Sequence, residues 1–184
     1  MVDGALTMAL NLTNLDAKTR AFMLEEIAHD IAAGKLYYSP RLSPVGKPLY
    51  PELLRDAVRS GTDDSLASQL RAPGRLNATE EKRKPKGGTT TAQVPVTASE
   101  TLAEGEFNRF YARGLCRRAM EEGVEALVVY RAKDVANPRP ESVALIGKSL
   151  PVNQLLEDLR TNIGTDTALG LPPGPNSGLS VRLP

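Results

Sequence analysis

The sequence has no tryptophan, one cysteine, one histidine and few aromatic residues, and each shortage removes a class of function. With Phe, Trp and Tyr at 4% together, a core has to be built from aliphatic side chains and alanine. Cys116 alone cannot close an intramolecular disulfide, which suits a reducing compartment. His29 alone supplies neither a histidine-rich metal site nor a histidine-based catalytic pair. Apolar runs are short, as at 126–130, and none approaches a membrane span. The opening MVDGALTMALNL lacks a basic segment followed by a continuous apolar one, so no secretory leader is expected and a cytoplasmic origin is. An excess of one charge is missing too: 23 Lys and Arg face 22 Asp and Glu, so any attraction to phosphate must be local.

What is present is enough for one domain with arms, since 184 residues are short for two full domains. The expected fold class is α+β: about four to five helices packed on a short sheet. Residues 1–14 are expected as an N-terminal arm and 15–170 as the domain, with a basic loop or arm at 71–96. The Pro/Gly-rich 171–184 is expected as an extended tail, laid along its own body or another subunit.

Helical periodicity runs from Leu15 to Gly34, placing Leu24, Ile27, Ala28 and Ile31 on one face and Glu25, Glu26 and His29 elsewhere. Asn14 or Asp16 can cap it and Gly34 can stop it. KLYYSPRLSPVGKPLYP holds four prolines and reads as an ordered loop, with Pro51 opening a helix that ends at Gly61. A short helix follows over Asp63–Arg71, with Thr62 as a possible cap. Residues 72–90 are the most loop-like internal stretch, and TTTAQVPV favours extended backbone. Thr97 and Glu100 have capping-box spacing ahead of a central helix over 98–122, whose inward face is Ala103, Phe107, Phe110, Tyr111, Gly114 and Leu115. VEALVVYRA is the best strand, ESVALIG is ambiguous, and Val152–Thr161 is a last helix with Leu155, Leu156 and Leu159 inside.

Candidate chemistry is sparse. Cys116 is expected to be a small core residue, and His29 a surface residue paired with Glu25. PKGGTTT has neither phosphate-loop nor dinucleotide spacing, and the Asp63–Asp64 and Glu121–Glu122 pairs sit at helix ends, where they suit the macrodipole or solubility. No catalytic residue, metal ligand or cofactor is assigned. Two basic features are candidates for partner or phosphate contact. Arg71, Arg75, Lys82, Arg83, Lys84 and Lys86 stand against only Glu80 and Glu81 between 71 and 88. Arg109, Arg113 and Arg117 recur at every fourth residue of the central helix, where like charges repel and call for compensation. Intramolecular pairing, with Glu106 and Glu121 supplying part of it, is the favoured account of that stripe.

VPVTASETLAEGEFNRFYARGLCRRAMEEG, VYRAKDVANPRPESVALIG and the closing ALGLPPGPNSGLSVRLP resemble a family of tailed-bacteriophage and prophage proteins encoded near virion structural genes. The resemblance covers roughly residues 15–184 and carries no functional motif to transfer. It implies a non-enzymatic virion protein, part of the head, its decoration or a connector, made in the bacterial cytoplasm. Its partners would be copies of itself and other virion proteins, with no membrane. The alternative is a nucleic-acid-binding accessory protein using loop 71–88 and the arginine stripe.

Overall fold

In the computed structural model, which describes residues 9–165, 167–171 and 177–184, one long helix forms the axis on which everything else is laid. The helices are α1 (Ala17–Ala32), α2 (Gly46–Ser60), α3 (Asp63–Leu70), α4 (Ala98–Glu121), α5 (Pro140–Leu145) and α6 (Val152–Thr161). The strands are β1 (Thr79–Arg83), β2 (Thr89–Gln93), β3 (Ala126–Arg131), β4 (Ser149–Pro151) and β5 (Leu179–Arg182). They make two sheets, a β1–β2 hairpin and a three-stranded antiparallel sheet in the order β4–β3–β5. The class is α+β, as expected, with more helix than the sequence suggests because ESVALIG contributes α5.

Helix α4 is buried on nearly all sides, against α1, α3, α6 and β5. Its expected inward face is inward: Ala103, Phe107, Tyr111 and Leu115 are fully enclosed. Leu155 and Leu159 of α6, Leu127 of β3 and Leu54 of α2 complete an aliphatic core, each burial contributing about 1.5–3 kcal/mol before ordering costs. Gly114 sets the closest helix contact. A Cβ there would lie 2.7 Å from Met23 Cγ and 2.9 Å from the Met23 backbone nitrogen, so only glycine lets α1 lie this near α4.

Local signals explain most element ends. Asp16 caps α1 by accepting from Thr19 N at 3.0 Å, and Gly34, with φ 64°, turns the chain out of it. Thr62 caps α3 reciprocally with Ser65. Two expectations fail. Helix α2 starts at Gly46 rather than Pro51, because Ser43 Oγ accepts from Gly46 N at 2.9 Å and Pro48 falls in the first turn, where no helical partner is needed, while Pro51 lies inside the helix and forgoes one bond. The capping box at Thr97 is not made, since its side chain holds no cap bond and Glu100 pairs instead with Arg71.

Both chain ends are fastened to the body in their described parts, the tail along the body as one of its two expected placements. Leu10 N donates to the Asp63 carboxylate at 3.2 Å, Asn11 N to Ala132 O at 2.8 Å, and Asn14 N to Tyr111 Oη at 3.2 Å. The C-terminal segment becomes β5, paired with β3 from Val128↔Arg182 to Arg131↔Leu179 and buried at Leu179 and Val181. Asn108 of α4 fastens it, donating to Leu179 O at 2.8 Å and accepting from Ser180 Oγ at 2.6 Å. The tail thus completes its own sheet. The remaining parts of the two expected arms, 1–8 and 172–176, lie outside the described residues.

Gly114→Val is expected to destabilise the fold by about 1–3 kcal/mol, the usual cost of overpacking. Urea unfolding would show it as a lower midpoint at unchanged slope, and an unchanged midpoint would mean that α1 and α4 can separate freely.

Candidate functional site

The two basic features of the sequence meet opposite fates, and that separates charge used for folding from charge left for partners. The α4 stripe turns inward. Arg113 is completely buried and forks between two acids of α1, with Nη1 and Nη2 each 2.7 Å from an Asp30 oxygen and Nε 2.9 Å from Glu26 Oε2. Arg117 reaches Glu26 Oε1 at 2.9 Å and Glu25 at 3.0 Å, and Arg160 of α6 reaches Glu26 Oε1 at 2.5 Å. Glu26 therefore joins three guanidinium groups from two helices. Burial works against its charge, yet Arg160, Arg113 and Arg117 outweigh that and hold its carboxyl down at about 2.

This arrangement corrects two expectations. Glu26, read as pointing away from the core, is fully buried, while Ala28, read as inward, is exposed. Of the candidate contacts for a phosphate or partner, Arg113 has no exposed surface, Arg109 is buried and spends its Nη groups on backbone carbonyls, and Arg117 is engaged on both sides. The compensation is intramolecular, as favoured, coming from Glu25, Glu26 and Asp30 of α1 with Glu106 beside Arg109, but not from Glu121, which pairs with Lys18.

Arg109 differs from its two neighbours. Its Nη1 donates to Asn162 O at 2.8 Å and its Nη2 to Thr165 O at 3.0 Å, tying the end of α6 to α4. Its buried Nε has no hydrogen-bond partner among the described residues and stands 3.7 Å from Glu106 Oε1. The pair lines a cleft of about 390 Å³ with Tyr37, Arg41, Glu80 and Thr165. Desolvation pushes the Glu106 carboxyl up to about 7, against the opposing pull of Arg109 and Arg113. Such a carboxyl can give or take a proton near neutrality, but His29 lines a different cleft and Cys116 is buried, its thiol pushed up to about 12 by desolvation. His29 is exposed, with Nδ1 3.4 Å from Asp30 rather than beside Glu25. Among the described residues no group of three or more His, Cys, Asp or Glu is placed to hold a metal ion.

The basic loop turns outward and is not a loop. Residues 79–93 form a hairpin whose register runs from Thr79↔Gln93 to Arg83↔Thr89, closed by Lys84 to Gly88. Gly87 and Gly88 take φ of 92° and 81°, which the turn requires and side chains resist. The base is anchored where Arg41 clasps Glu80 bidentately, at 2.7 and 3.1 Å. Beyond Glu80 and Ala92 every residue of the two strands is exposed.

Of the six cations proposed between 71 and 88, Arg71 is held by Glu100, Arg75 donates to Gln69 O at 2.5 Å, and Lys82 lies 3.6 Å from Glu80. Arg83, Lys84 and Lys86 have no acidic partner among the described residues, and all three are exposed at the tip. A signal for this hairpin was available: Lys-Pro-Lys-Gly-Gly is a turn between two five-residue segments. It is weak because neither strand shows the alternation that burial of one face would impose. Comparison of the chain with family models, with curated proteins and with solved structures finds no match.

The buried acids give stability a defined pH dependence. Glu106, raised from 4.5 to about 7, and Asp63, raised from 3.8 to about 6 by burial, favour the folded state when protonated. Their contribution is present at low pH and is lost as pH rises through 6 and 7. Glu26, lowered from 4.5 to about 2, contributes above 4.5, and this is lost as pH falls toward 2. Stability is therefore expected to peak in weak acid. Glu106→Gln is expected to flatten the decline between pH 5 and 8 in urea unfolding, and an unchanged slope would contradict the assignment.

Proposed function

We propose that this protein is a non-enzymatic structural or assembly subunit of a phage virion, made in the bacterial cytoplasm and acting through contacts with copies of itself and other virion proteins. The single observation that carries the reading is the hairpin. A two-stranded ribbon that buries almost no apolar surface is marginal by itself, yet this one stands off the body with a basic tip that has no acidic partner among the described residues. Elsewhere the chain uses its ion pairs to hold helices together, as at Glu26 and Asp30. An extended element without an internal purpose suits a subunit whose small contacts are multiplied by symmetry. The sequence resemblance points the same way.

A second reading has its own support in Arg83, Lys84 and Lys86, exposed together at the tip. Such a cluster would hold nucleic acid through phosphates, without sequence preference and with strong salt dependence.

Light scattering of the purified protein, at low and high salt and with and without DNA, separates the two. A discrete oligomer unchanged by DNA is expected. A monomer that gains mass only with DNA at low salt, and loses that gain when Lys82, Arg83, Lys84 and Lys86 become alanine, would favour the second reading and overturn the first.

A further inference from the structure

The two long edges of the hairpin are not alike. In the β1–β2 ladder, Lys84 N donates to Gly88 O and Val94 N to Ala78 O, which places the even-numbered residues of β1 and β2 in the hydrogen-bonded pairs. The backbone groups of Thr89, Thr91 and Gln93 therefore point away from β1. None of them bonds to the body of the chain among the described residues. The opposite edge, β1, is guarded in the usual way by Glu80, Glu81, Lys82 and Arg83. Strand β2 reads Thr-Thr-Thr-Ala-Gln, with no charge, no proline and three β-branched residues, so it lacks every common protection against strand addition. At its base stands Val96, whose 92% exposure is the highest of any large apolar side chain described.

We propose that β2 is a docking edge for β2 of a second copy, paired antiparallel about a twofold axis with Thr91 opposite Thr91. The inference rests on the assembly reading and specifies its first contact. Parity admits an axis at Thr90, Thr91 or Ala92, and of these only Thr91 opposes all five residues of one β2 to all five of the other. Opposed residues must both point outward, so an outward residue meets another outward residue: Thr89 faces Gln93 of the second copy, Thr91 faces its equivalent, and each pair exchanges two backbone bonds. Thr90 then faces Ala92. Each opposed pair is neutral, and threonine pairs across strands are favourable.

A second copy fits better than β1 edges would fit each other. Parity there allows Glu81 opposite Glu81, or Lys82 opposite Lys82, and each sets a like-charge pair on the twofold axis between flanking unlike pairs, a central repulsion that the neutral β2 contact lacks. Joining β2 edges makes a four-stranded ribbon with a guarded β1 on each outer side, which closes the assembly at two copies. The antiparallel arrangement sets each basic tip beside the other copy's hairpin base, so the two bodies lie at opposite ends of the ribbon. The contact is small, and association should depend on concentration.

The test compares the full chain with Thr91→Pro and Thr91→Lys by light scattering across concentration and salt. Proline at 91 removes an outward N–H and leaves the β1–β2 bonds intact. Lysine at 91 keeps the backbone, gains Glu81 as its cross-strand neighbour and sets two like charges on the axis. The expected result is self-association of the native chain, at least tenfold weaker in Thr91→Pro. For Thr91→Lys, loss at low salt with recovery at high salt is expected. Self-association equally strong in both variants would overturn the β2 edge and leave the assembly reading standing. Loss in Thr91→Pro alone would mean another strand or register and would overturn the self-pairing. A native chain monomeric at every concentration would overturn the assembly reading, and this inference with it.

Discussion

The buried guanidinium of Arg113 is the constraint on which the rest depends. An arginine with no exposed surface is tolerable only if its charge is matched and its donors are used, and Glu26 and Asp30 do both. Because these acids lie one turn apart on α1, the fork fixes the rotation of α1 on α4. Gly114, next along α4, fixes the distance between them. Arg160 extends the same network to α6 through Glu26. Three helices are thus registered by ion pairs and packed by leucines, an economical solution for a chain poor in aromatic side chains. The fork also sits one turn from Arg109 and two from Glu106 on α4, so a partly paired carboxyl in the cleft lies along the same helix as a fully paired one in the core.

Once the helices are registered, the chain ends have places to go. The groove between α4 and β3 accepts β5, and Tyr130 holds the entering chain by donating to Asn11 O at 2.6 Å. Leu183 N donates to Asn14 Oδ1 at 2.9 Å, so the two ends are fastened to one another as well as to the body. Among the described residues the hairpin is left over. It follows α3, leaves the body after the Leu42↔Leu76 bridge and returns at α4, so it is a loop excursion stiffened into a ribbon. Function, on this account, is located by subtraction: it lies where ordered backbone is not used by the fold.

Much of the helical framework was legible because it rests on local chemistry. Asp16 and Thr62 mark helix starts through their side-chain oxygens and Gly34 a helix end through its positive φ, and the leucines of α6 declare their face by spacing alone. The strand at 126–131 announces itself as an apolar run. What could not be read depends on partners distant in sequence. Nothing near Glu26 says that Arg113 and Arg160 will surround it, so a rule that sends charge outward misassigns it. The arginine stripe fails as a surface for the same reason, although its unrelieved repulsion did call for acids. The tail was legible as extended chain laid along a body, but glycine and proline at 170–178 hid that it would be a strand paired with Val128, some 50 residues earlier. The hairpin was hidden for another reason: with neither face buried, its strands have no period to detect.

A double-mutant cycle on Arg113→Leu and Asp30→Leu, read by urea unfolding, tests the central claim most directly. The account predicts that each single change costs about 3–5 kcal/mol by leaving an unmatched buried charge, and that the double change costs much less than their sum. Additive costs, or single changes that cost under about 1 kcal/mol, would show that the fork does not hold α1 on α4 and would contradict the account.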